Sequence, residues 1–227
     1  MGTAKNPKRV RKMLEENGQA KNYVFRIVLT GGPCGGKSSS LDDMTKSLVK
    51  KGYDVMCVPE VPTILLNGGC KYPGEDGNKE ALIIFEKALI EAQLQMERSF
   101  IDIAESTNRP TLVIMDRGLL DVAAYLPADL WVETQKAVNL TEEQMADRYD
   151  LVLHLTTAAE GAEKYYTTEN NAVRLETAEQ ARELDKKIRT GYQRAHKNVK
   201  VVDNSTDFQG KLKRATDHVI ELVDGTS

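Results

Sequence analysis

The chain has 227 residues, of which 31 are Lys or Arg and 34 are Asp or Glu, for a formal charge of -3. That length suits one α/β domain with an insertion or lid better than two independent domains, and the near-balance of charge gives no bulk reason to expect nucleic acid or membrane as the main partner. Cys34, Cys57 and Cys70 leave an odd thiol and no zinc spacing, which disfavours a disulfide scaffold or structural metal and points to a reducing, cytoplasmic setting.

Residues 1–22 read as a basic N-terminal extension, with helical character around Val10 to Glu16. Its patch of Lys5, Lys8, Arg9, Arg11 and Lys12 is the one membrane-like feature, a weak basis for peripheral membrane or phosphoinositide contact. No stretch is apolar enough for a signal core or a bilayer span.

The nucleotide-binding domain is expected over 23–227. From Tyr23 to Thr30 the run Val24-Phe25-Arg26-Ile27-Val28-Leu29 has the β-branched, apolar character of a central parallel strand covered on both faces. After a glycine-rich turn, Leu41, Met44 and Leu48 recur at helical spacing before Gly52, which predicts a helix over roughly Lys37 to Lys51. Val55 to Val58 predicts a second strand. Pro59 and Pro62 then predict an irregular segment, placing Glu60 at the carboxyl end of a strand, where open α/β sheets bind ligands.

Asn67 to Asn78 reads as a mobile Gly-rich loop before a long helix whose Leu82, Phe85, Leu89, Ala92, Met96 and Ile103 form one stripe, expected to be core. Strands at Thr111 to Met115 (ending at Asp116), Leu151 to Leu155 and Val199 to Val202 alternate with helices. This alternation implies an α/β fold with a doubly wound, five-stranded parallel sheet flanked by helices. Ala158 to Asn171 is polar enough for a lid or loop, and a lid is expected at about 158–190.

The turn Gly31-Gly32-Pro33-Cys34-Gly35-Gly36-Lys37-Ser38 has the form G-x-x-x-x-G-K-S between a strand and a helix. In that context successive backbone N–H groups and the helix N-terminus face phosphate oxygens, so Gly31 through Ser39 are expected to cradle a nucleoside triphosphate. Lys37 is expected on the β/γ-phosphates and Ser38 on Mg²⁺. Asp116, closing an apolar strand, is expected to act as a Walker-B-like carboxylate that holds the metal directly or through water. Cys34 sits where backbone dipoles favour a thiolate, although packing accounts for it more simply. Arg174, Arg182 and Arg189 suit neutralisation of the transferred phosphoryl group, and for Arg182 and Arg189 a solvated helix face suits equally. Asp203-Asn204 suits contact with the base or ribose, and equally a turn. His154 and His196 lack a ligand or nucleophile partner in sequence and are expected to pack or hydrogen-bond.

The run Asp116-Arg117-Gly118-Leu119-Leu120-Asp121-Val122-Ala123-Ala124-Tyr125 is similar to the Asp-Arg signature of thymidylate-kinase-like and nucleoside-kinase-like enzymes. That likeness implies that Arg117 contacts substrate or phosphate. Glu60, after Val58-Pro59, resembles the glutamate that follows the second strand in deoxynucleoside kinases, which implies a general base on the acceptor hydroxyl.

The loop Leu29 to Ser38, Met115-Asp116-Arg117-Gly118 with Asp121 and Tyr125, and Gly161-Ala162-Glu163-Lys164-Tyr165-Tyr166 through Arg174 and Glu176 to Asp203-Asn204 together resemble one P-loop family. That family joins the ribosylnicotinamide kinase domain of NadR to the NTPase domain of translocation-defect trafficking proteins, and the second branch is the nearer. The resemblance spans about Arg26 to Asn204. It implies a nucleoside-kinase-like NTPase that takes ATP or GTP with Mg²⁺ and either transfers phosphoryl to a small, nucleoside-like hydroxyl acceptor or hydrolyses the nucleotide. The alternative it implies is a regulatory GTP/ATP-binding module in membrane trafficking without kinase activity. The trafficking proteins carry a C-terminal CYTH-like domain, but this chain ends shortly after its final helix, so the second domain is expected to be absent or to have been removed. The chain also lacks an Asn-Lys-x-Asp guanine motif, which disfavours an ordinary Ras-like GTPase.

Overall fold

The computed structural model describes residues 23–74, 78–166 and 177–225. The basic patch at the N-terminus and Arg174 therefore lie outside the described residues.

Strand β1 (Val24–Thr30) leads into helix α1 (Lys37–Lys50), β2 (Asp54–Val58), α2 (Val61–Asn67) and the long α3 (Lys79–Ser106). β3 (Thr111–Asp116) is followed by a 3₁₀ helix (Leu119–Tyr125), α4 (Ala128–Val138) and α5 (Glu142–Ala146). β4 (Leu151–Leu155), α6 (Ala178–Ala195), β5 (Val199–Val202) and α7 (Phe208–Asp224) complete the domain. The five strands form one sheet in the order β2-β3-β1-β4-β5, and every pairing is parallel. This is the doubly wound α/β architecture that the alternating strand and helix patterns imply.

Because side chains alternate along a strand, each inner strand feeds two cores. Phe25, Ile27 and Leu29 of β1 pack with Leu112, Ile114, Met44, Leu48, Ala215 and Val219 beneath α1 and α7. Val28, Val113 and Met115 face the other way, against Leu89, Ile90, Leu119 and Tyr192 under α3, the 3₁₀ helix and α6. The connection leaving β1 thus covers one face and the connection leaving β3 the other. The two strands are neighbours, with Leu29 in register with Asp116. Such a divergence opens a crevice at the carboxyl ends of the two strands.

Two local expectations need correction. The segment after β2 is helical rather than irregular, since Pro62 falls in the first turn of α2, where its missing N–H is harmless. The stripe on α3 buries Leu82 and Leu89, but Ile103 is 55% exposed and Ala104 takes the inward place. An α-helix drifts about 20° per heptad against a strict seven-residue repeat, so over 28 residues the inward positions move from 89 to 97 and then 104. Among the described residues, no helix is long and apolar enough to cross a membrane.

Candidate functional site: the crevice above β1 and β3

β1 ends in the turn that the sequence marked as a phosphate cradle. Gly31 has φ of 134°, and a Cβ there would lie 2.0 Å from the Leu155 carbonyl oxygen, so only glycine lets the chain turn against β4. Cys34, without that freedom, still adopts φ of 55°, the left-handed region that a side chain enters at a cost. The N-cap of helix α1 is Gly36, which has no side chain to cap it, and the first turn holds no acidic residue. By contrast α3, α5, α6 and α7 are capped by Asn78, Thr141, Thr177 and Asp207. The first amides of α1 therefore have no side-chain cap, and the positive end of the helix dipole is left for an external anion.

Lys37 folds back over the turn, its Nζ donating to the carbonyls of Gly31 and Gly32 at 3.1 Å each. Burial and the nearby Arg117 guanidinium pull its pKa down to about 8, against the opposing pull of Asp116, Glu60 and Asp121.

The end of β3 supplies the second half of the site. Asp116 Oδ1 is buried with no hydrogen-bond partner among the described residues. Burial, with Glu60 next, raises the Asp116 pKa. A buried, unmatched carboxylate oxygen is costly unless a cation or donor arrives. Together with the exposed Ser38 hydroxyl, which lines the same cavity, it fits a magnesium ion that takes one or two protein ligands plus phosphate oxygens and water.

Arg117 follows with φ of 71°. It donates to Glu60 through Nε and to Asp121 through Nη1 at 3.2 Å. Asp121 in turn accepts from Gly118 N at 2.9 Å and from the Tyr192 hydroxyl at 2.9 Å, and from the Thr30 hydroxyl. Although burial opposes it, Tyr125 and then the carboxylates of Asp121 and Glu60 hold Arg117 firmly protonated. Glu60 also accepts from the Thr63 hydroxyl. Burial would raise the Glu60 pKa, but Arg117 and Thr63 lower it.

One cavity of about 1440 Å³ joins these groups. Besides Asp116, Arg117 and Gly118, its lining includes Tyr72, Phe85, Glu86, Gln93 and Tyr125. Tyr72 and Phe85 meet edge to face at 5.4 Å, and burial pushes the Glu86 carboxyl up to about 7. Asn204, Thr206, Phe208 and Lys211, from the segment after β5 and the start of α7, line it as well. Burial lowers Lys211 to about 8, and its Nζ donates to Thr156 O at 2.6 Å and Asn204 Oδ1 at 2.7 Å.

The structure thus brings Pro33 to Ser39, Glu60, Asp116, Arg117 and Asn204 to one cavity wall. Asn204 uses both amide hydrogens on the carbonyls of Thr157 and Glu160, at 2.8 and 2.6 Å, so it braces the loop after β4. Asp203 does not line the cavity and instead accepts from Arg214 Nη1 at 2.8 Å and from the Ser205 hydroxyl. Arg182, also off the cavity wall, donates to Ala159 O at 3.0 Å. His154 is buried against Asp185, and His196 bonds to backbone at Tyr149 and Asn198.

Sequence reasoning did not single out Glu86, Gln93, Asp185 or Lys211 as site residues. For the first three a signal existed: each is a polar residue at an inward helical position between apolar ones.

A parallel sheet of this order, with a glycine cradle at its switch point and the Asp116 carboxylate at the end of the neighbouring strand, defines a nucleotide-binding P-loop NTPase domain. The family model described as an AAA domain matches residues 26–211, and the chain belongs to that family. No curated protein matches the chain.

Proposed function

We propose that this domain binds ATP or GTP with Mg²⁺ and transfers a phosphoryl group to a small, nucleoside-like hydroxyl acceptor. The observation that carries this reading is the extent of the cavity. At about 1440 Å³ it exceeds what one small ligand fills, and its lining adds the aromatic Tyr72, Phe85 and Tyr125 to the phosphate cradle, Asp116 and Arg117. That volume leaves room for an acceptor beside a bound triphosphate.

On this reading the backbone amides from Cys34 to Ser39 hold the phosphates. Lys37 exchanges the carbonyls of Gly31 and Gly32 for phosphate oxygens. Ser38 and Asp116 would hold Mg²⁺, which would offset the negative charge of the phosphates. Arg117, fixed by Asp121 and Glu60, presents its guanidinium to the transferred group.

The acceptor oxygen attacks the γ-phosphorus, the bond to the β,γ-bridging oxygen breaks, and the hydroxyl proton passes to Glu60 and then to water. A carboxylate held by Arg117 is a weak base, but phosphoryl transfer through a loose transition state needs the hydroxyl oriented more than deprotonated.

The test is transfer from labelled ATP and GTP to a panel of nucleosides and nucleotides, with Lys37→Ala as control. Labelled product that disappears in the control supports the kinase reading. Nucleotide binding without transfer to any acceptor removes it and leaves a regulatory nucleotide-binding module.

A further inference from the structure

We propose that Asp185, on α6, is a positioning residue that pins the first half of the phosphate loop so that the second half can face an anion. The inference rests on the triphosphate reading above.

The eight-residue turn does not use all its amides alike. Pro33 has no N–H, and the Gly32 N–H points inward, donating to Asp185 Oδ1 at 2.8 Å. The same oxygen accepts from Thr157 N at 3.0 Å. Asp185 Oδ2 lies 3.0 Å from His154 Nε2, and both side chains have 0% exposure. A buried carboxylate with three polar partners is the arrangement in which ionisation survives desolvation. Burial would raise the Asp185 pKa, but His154 and the two amides lower it.

The partners of Asp185 are the two sides of one joint. Thr157 Oγ1 donates to Pro33 O, and Ala158 N donates to Cys34 O at 3.3 Å. The residue in the costly left-handed conformation, Cys34, is therefore held by the turn after β4, and that turn is held by Asp185. Gly32 permits the contact, since a Cβ there would come within 2.9 Å of Asp185 Cβ. Removing the carboxylate frees Gly32 and Thr157 together, so the loop must be reordered each time a triphosphate binds. The cost appears as lost affinity.

The test is equilibrium titration of the full chain with Mg·ATP and Mg·GTP, at a temperature where circular dichroism shows every protein folded. Asp185→Asn keeps an oxygen for both amides and offers His154 Nε2 an N–H, so its affinity should stay within about threefold of wild type. Asp185→Ala should bind at least roughly tenfold more weakly, the scale of a lost charge-assisted hydrogen bond. Gly32→Ala, which forces the same joint open from the loop side, should lose a similar factor.

A purely architectural role would lower the urea midpoint of Asp185→Ala while leaving its dissociation constant unchanged, and that result would overturn the inference. If Asp185→Ala does not fold, wild-type affinity in Gly32→Ala overturns it instead. Failure of the wild type to bind either triphosphate would remove the proposed function and this inference with it, an outcome distinct from normal binding by every variant.

Discussion

Binding of a triphosphate should draw a proton from solution, because Lys37 sits at about 8 in the free protein. Its pKa is low because the ammonium is buried beside Arg117, and a triphosphate placed against Nζ reverses that balance. If the bound pKa exceeds about 10, uptake should be about 0.1 proton at pH 7, about 0.5 at pH 8 and about 0.9 at pH 9. The sign follows from the bound state preferring the protonated lysine, so affinity is highest below pH 8 and falls above it. Between pH 8 and pH 9 the loss should be about fivefold. The triphosphate contributes little there, since a terminal phosphate titrates near pH 6. Lys211 also lies near 8 and lines the cavity, so Lys211→Met serves as the control that should retain most of the uptake. Calorimetry in buffers of different ionisation enthalpy measures the proton directly. Binding without uptake at pH 9, or uptake that persists in Lys37→Met, would refute the reasoning.

Glu86 gives a stability prediction of the opposite kind. Its pKa is raised to about 7, so its contribution is intact below the unfolded value near 4.5 and is lost as pH rises towards 7. Glu86→Gln should therefore be more stable than wild type at pH 8, by at most about 3 kcal/mol, with little difference at pH 4.5, as read from urea denaturation. Asp116→Asn removes a charge that burial disfavours, so its melting temperature should hold or rise, whereas the magnesium dependence of nucleotide affinity should weaken. Gly31→Ala, with a Cβ 2.0 Å from the Leu155 oxygen, should abolish soluble folded protein or lower its melting point steeply. A normal melting curve would mean that the turn is looser than described.

The sheet was legible because parallel strands buried on both faces read as continuous apolar runs, and all five lie within a residue or two of where the runs Val24–Leu29, Val55–Val58, Thr111–Met115, Leu151–Leu155 and Val199–Val202 put them. The cradle was legible because its glycines and Lys37 are adjacent in sequence, and the structure sets Asp116 beside it through strand register. What the sequence hid was partner choice. Arg117 and Glu60 each suggested a separate substrate contact, but the fold brings them together as an ion pair. Asp203 and Asn204 looked alike as polar residues at a strand end, yet one turns to Arg214 and the other braces the loop after β4. Such contacts join residues 11, 47 and 57 positions apart, and no local period encodes them. Asp185 fell between these cases, since a carboxylate between Ala181 and Ile188 on an inward face signals a buried partner without naming Gly32.

The measurement that bears most directly on the central claim is equilibrium binding of ATP and GTP to the full chain, with and without Mg²⁺, for wild type and Lys37→Ala. The account predicts one site per chain for at least one of the two triphosphates, tightened by magnesium and lost or much weakened in the variant. Absence of binding for both, or binding indifferent to both magnesium and Lys37, would contradict it.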